Sequence, residues 1–98
     1  MIVTLTKEEA ADIAQEAYEY AGYDITNYVG YYQIAVDADN EANNIVIAIN
    51  KDSSNPQHCY AIYVNPAVDE GYFEYTETLD KQELAEKLMT IAQTYSER

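Results

Sequence analysis

His58 and Cys59 are the single histidine and the single cysteine of the chain, and they stand side by side. A thiol beside an imidazole is the raw material of nucleophilic catalysis. On a strand, though, neighbouring side chains point to opposite faces, so this pair is not expected to meet. One histidine also makes no metal constellation. Asp37-Ala38-Asp39-Asn40-Glu41 sets carboxylates at alternate positions, as a calcium loop does. The sixth position is Ala42 rather than Gly and the twelfth is Ala48 rather than Glu, which favours a hydrated turn. With 18 acidic residues, carboxylate pairs must occur somewhere, so their presence gives no argument for acid–base catalysis. No glycine-rich phosphate loop or hydrolase motif is present. The expectation is a protein without catalytic residues, metal or cofactor.

The chemistry that the residues do favour is electrostatic. Eighteen acidic residues oppose five basic ones, for a formal net charge of −13. Between Glu8 and Asn50 there is no Lys or Arg, and the same holds from Asp52 to Asp80. Such a field repels nucleic acid and anionic membrane and attracts basic partners. Within the first span Glu8, Asp12, Glu16 and Glu19 recur at helical spacing, with no basic residue on the same helical face. Like charges at that spacing cost a helix a few tenths of a kcal/mol per pair. The stripe is either a solvated face or a surface aimed at a basic partner. The 11 tyrosines are the second signal. Tyrosine buries apolar area and keeps a polar tip, so it suits surfaces that are wet when free and covered when bound.

These residues need elements to position them. Ile45-Val46-Ile47-Ala48-Ile49 is short, uncharged and bracketed by turn formers, and it reads as a central strand with apolar residues on both faces. Flanking strands are expected at about 28–37, 57–65 and 72–77, with Pro66 ending the third. Gly30 marks a bulge or a close backbone approach. Thr6 and Glu9 form a capping box for a first helix, whose apolar face runs through Ala10, Ile13, Ala14, Ala17, Tyr18 and Ala21 to a stop at Gly22. Asp80 and Glu83 form a second capping box, with Leu79 and Leu84 as the hydrophobic staple. Leu84, Leu88, Ile91, Ala92 and Tyr95 make the stripe that follows. Met1–Leu5 is a short extended arm, and the charged residues after Thr6 argue against a signal peptide.

The expected architecture is one α+β domain over residues 1–98: a helix, a four-stranded antiparallel meander and a helix, both helices on one face of the sheet. The helix-covered face would carry Tyr32, Ile34 and Val36, then the three isoleucines of the central strand, then Tyr60, Ile62, Val64, Phe73 and Tyr75. The other face would carry Tyr31, Gln33, Ala35, Val46, Ala48, Cys59, Ala61, Tyr63, Tyr72, Glu74 and Thr76. It is less polar than a water-facing sheet usually is. It serves as a protein-binding face, a homodimer seam or ordinary cross-strand tyrosine packing.

By its length, its span without Lys or Arg from Glu8 to Asn50 and its stripe Glu8, Asp12, Glu16 and Glu19, the chain resembles small acidic phage inhibitors, including anti-CRISPR and anti-restriction proteins that mimic DNA. The resemblance is one of composition and matches no motif. It implies carboxylates standing in for phosphates in an Arg/Lys-lined groove of a nuclease or nucleic-acid-binding complex, in the cytoplasm of a host cell. The partner-binding residues expected on this basis are Glu8, Asp12, Glu16 and Glu19, the turn residues Asp37, Asp39 and Glu41, and Tyr31, Tyr63, Tyr72 and Glu74. Two other readings stay open: an immunity protein that neutralises a bacterial toxin, and a small-ligand or dimerisation domain whose charge is adaptive. The lone cysteine excludes an internal disulfide and agrees with a reducing compartment.

Overall fold

The computed structural model describes residues 1–21, 28–51 and 58–97. In chain order its elements are β1 (Ile2–Thr4), α1 (Lys7–Glu19), β2 (Gly30–Asp37), a 3-10 turn (Glu41–Asn43), β3 (Ile45–Lys51), β4 (Tyr60–Val64), β5 (Gly71–Tyr75) and α2 (Lys81–Ser96). The fold is α+β, with an antiparallel sheet in the order β1-β2-β3-β4-β5. The expected connector at 23–27, the Gly22 stop and most of the loop after Lys51 lie outside the described residues.

The sheet holds five strands among the described residues, not four. The N-terminal arm is itself a strand, with Ile2, Val3 and Thr4 opposite Asp37, Val36 and Ala35. Three residues carry too little pattern to reveal a pairing partner more than thirty residues away. The chain then leaves β1 with the Leu5 N–H donating to the Ile34 carbonyl at 3.0 Å.

Both capping boxes form. The Glu9 N–H donates to Thr6 Oγ1 at 3.1 Å, and the Thr6 N–H donates to a Glu9 carboxylate oxygen at 2.7 Å. Asp80 and Glu83 repeat the exchange at 2.8 and 3.1 Å. Each cap satisfies N–H groups that a helix start otherwise leaves open, worth about 1 kcal/mol. Ala10, Ala14 and Ala17 of α1 are fully buried, and small side chains there allow close approach to neighbouring elements. Leu84, Leu88, Ile91 and Ala92 of α2, with Leu79 before it, join the same core cluster as Ile47, Ile49, Ile62 and Val64.

One sequence expectation reverses in β2. The register shifts between Gln33 and Ala35, so Ile34 is the extra residue of a bulge. Side-chain parity changes there, because one added residue turns all later side chains over. Ala35, expected on the second face, is buried in the core, and Val36, expected in the core, is 38% exposed. Gly30 is not the bulge. Its role is close approach, since a Cβ there would come within 2.7 Å of the Tyr32 hydroxyl.

Candidate functional site

Two surfaces, one turn and one interior cluster hold the residues singled out from the sequence. The first surface is α1. Glu8, Asp12, Glu16 and Glu19 are all exposed on it. Gln15 Nε2 donates to Glu19 at 3.2 Å, and α1 has no basic residue in its last turn. Glu16 also lies near the Tyr32 phenol. Burial first, and that carboxylate second, push the Tyr32 pKa up, although the two are not aligned for a well-formed hydrogen bond.

The cation that the end of α1 lacks comes from the sheet. Lys51, the last residue of β3, is 1% exposed. Its Nζ donates to the carbonyls of Tyr18 and Tyr20 at 2.7 and 2.6 Å. An ammonium among the last carbonyls of a helix faces the negative end of the helix dipole and satisfies acceptors that have no partner within the helix. Burial lowers the Lys51 pKa.

His58 lies beside this cluster. It precedes β4 at φ 71°, a turn conformation rather than the strand position expected of it. Its ring stacks on Tyr18 with centroids 3.9 Å apart and planes 7° apart. Burial, then the Lys51 charge, lower its pKa. The Cys59 thiol is buried and donates instead to the Thr76 carbonyl at 3.4 Å. Imidazole and thiol thus engage different partners. Among the described residues, no group of three or more His, Cys, Asp or Glu side chains is placed to hold a metal ion.

The β2–β3 turn uses its carboxylates internally. Asp37 accepts from Asn43 Nδ2 at 2.9 Å, from the Asp39 N–H at 2.9 Å and from the N-terminal ammonium of Met1 at 3.4 Å. Asp39 accepts from the same ammonium at 2.7 Å. The Asn43 and Asp39 bonds, followed by the ammonium, hold the Asp37 carboxyl down to about 2 from its ordinary 3.8. Asp37 was expected to contact a partner, but it is buried and its oxygens are already bonded. Asp39 and Glu41 remain exposed.

The second surface is the sheet face turned away from the core isoleucines. Register places Tyr31, Ala48, Tyr63 and Tyr72 in one row across β2, β3, β4 and β5. Tyr63 and Tyr72 are 4.9 Å apart by ring centroid. Tyr28, which the sequence reading left out, meets Tyr31 edge-on at 5.2 Å and Tyr63 at 5.7 Å. Ala48 is fully buried beneath these rings, so a small residue forms the floor of an aromatic cluster. Comparison with family models, curated proteins and solved structures finds no match.

The aromatic row continues as an apolar strip. Val36 and Val3 stand opposite each other across β1 and β2, with Gln33 opposite Val46 between them and the tyrosines. Tyr31, Tyr72, Val3 and Val36 are 62%, 51%, 59% and 38% exposed. Met1 and Val68 are the other large hydrophobic side chains among the described residues that are this exposed. Glu74 sits opposite Ala61, one step along β5 from the Tyr72 row. The structure thus gathers Tyr31, Tyr63, Tyr72 and Glu74 on one face and leaves the acidic stripe on α1 apart from them. No helix among the described residues is long and apolar enough to cross a membrane.

Proposed function

We propose that the chain is a non-enzymatic acidic inhibitor that binds a basic, nucleic-acid-handling protein, with carboxylates taking the place of phosphates. The observation that carries this reading is the exposed, uncompensated row Glu8, Asp12, Glu16 and Glu19 on α1, in a chain of net charge −13. A surface of one sign speeds encounter with an oppositely charged partner and excludes partners of like charge. The row spans about 17 Å, with a carboxylate about every 6 Å, roughly half the axial charge density of one DNA strand. It is a sparse phosphate row, and the rest of the negative surface must supply the remaining attraction. The reading places both helices over the isoleucine face, which the shared core of Ala10, Ala14, Ala17, Leu84 and Leu88 with Ile47 and Ile49 supports.

The test is charge reversal of the stripe. Glu8→Lys, Asp12→Lys, Glu16→Lys and Glu19→Lys, combined in one variant, leave the buried alanine face untouched and should preserve the circular dichroism spectrum. The variant should lose binding to the partner. Undiminished binding would remove the stripe as the contact surface.

A further inference from the structure

We propose that the tyrosine–valine face of the sheet grips an arginine-bearing, partly apolar face of the basic partner. This rests on the reading of the chain as a binder of a basic protein, and it deepens that reading by naming the second contact surface and the side chain it takes.

Continuity comes first. The Ile34 bulge turns Val36 outward beside Val3, and these join the row of Tyr31, Tyr63 and Tyr72 through Val46. The strip therefore crosses all five strands. An exposed apolar strip of this extent, rimmed by polar groups, marks an interaction surface. Its rings are already braced against one another over Ala48, so little side-chain freedom remains to be lost on binding.

Charge then selects the occupant. Among the described residues Lys7, Lys81 and Lys87 all belong to the helices, the lysine of the sheet, Lys51, is buried against the end of α1, and the Met1 ammonium beside β1 is paired with Asp37 and Asp39. The strip is bordered by Glu74 on β5 and, at the ends of its strands, by Glu41, Asp69 and Glu70. A second copy of the chain would bring its own −13 charge against this rim, so a homodimer seam is disfavoured. Nucleic acid is repelled for the same reason. A cationic protein surface is attracted. Arginine fits better than lysine because its planar guanidinium stacks on a phenol ring and pairs bidentately with a carboxylate such as Glu74.

The test uses the intact chain, labelled for NMR, and an octapeptide alternating arginine and leucine, against its lysine–leucine counterpart. The arginine peptide should shift amides around Tyr31, Tyr63, Tyr72 and Glu74, and bind about tenfold more tightly than the lysine peptide. The double variant Tyr31→Ser, Tyr72→Ser alters two exposed side chains. It should stay folded, with the circular dichroism spectrum of the wild type and a midpoint lowered by the loss of two ring pairs, and lose about tenfold in affinity for the arginine peptide. Shifts confined to the α1 stripe, equal affinity for both peptides, or full affinity in the double variant would each overturn the proposal. The outcomes separate the two readings. Peptide binding at the face, with no nucleic-acid-handling partner captured, sinks the proposed function and leaves the face as an arginine site. Capture of such a partner with full affinity by the double variant removes the face alone.

Discussion

Lys51 and Asp37 show opposite uses of a buried charge. Lys51 brings a cation from the sheet to the C-terminal carbonyls of α1. Lys51→Met keeps the stem and removes those donors, so it should cost roughly 2–3 kcal/mol in denaturant unfolding and fray the last turn of α1. A loss below about 0.5 kcal/mol would mean that water caps the helix equally well. Asp37 ties the β2–β3 turn to the chain's own N-terminus. Its carboxyl is depressed in the fold, so its stabilisation is complete above the unfolded value of 3.8 and disappears as pH falls through about 2. Thermal unfolding of the wild type should therefore weaken between pH 4 and 2 more steeply than that of Asp37→Asn, which has no proton to gain there. Parallel profiles would show that the turn does not draw on this charge. Neither role was legible in the sequence. A lysine after an apolar run reads as the end of a strand, and its partner carbonyls lie more than thirty positions away. His58 resisted prediction for a related reason: its positive φ and its stack on Tyr18 come from where the chain turns, and no local pattern encodes that.

At the scale of the element, the two helices were readable because their signals are local. Thr6 with Glu9 and Asp80 with Glu83 lie three residues apart, and each pair closes the box its spacing implies. The central strand was readable because its apolar run and its bracketing turns are contiguous. The fifth strand and the bulge were not, since both depend on pairing. β1 becomes a strand only against β2, and the extra residue Ile34 lets β2 serve β1 and β3 with Ala35 and Asp37 both turned inward. The bulge makes a sharp prediction. Ile34→Ala should cost about 2–4 kcal/mol, as removal of a fully buried branched side chain does. Val36→Asp, two positions on, should cost less, about 1 kcal/mol, because the side chain is turned outward and loses only strand propensity and its pairing with Val3. An unbulged β2 would put both residues in the core and make Val36→Asp the worse of the two, and denaturant midpoints decide between them. The same turn-over hides the Val36 part of the apolar strip: Tyr31, Val46, Tyr63 and Tyr72 follow from alternation, but Val36 reads as core until the bulge is seen.

At the scale of the whole molecule, the chain divides its work between two sides of one sheet. The isoleucine side holds the fold together, and the tyrosine–valine side presents apolar area that is left exposed. α1 carries the exposed row Glu8, Asp12, Glu16 and Glu19, with Lys7 at its first position as the one cation of that helix. Net charge is fully legible in the sequence. Its layout was legible only on α1, where periodicity fixes the face. In the β2–β3 turn, Asp37 looked available and is in fact bonded at both oxygens. Competition at the captured partner tests the phosphate-like role of the carboxylates most directly. The chain, immobilised, is loaded with its partner from a nuclease-treated lysate, then challenged with duplex DNA and, separately, with rising salt. DNA should displace the partner, and affinity should fall steeply as salt rises from about 50 to 200 mM. A partner that DNA leaves in place, bound with an affinity that salt does not change, would contradict it.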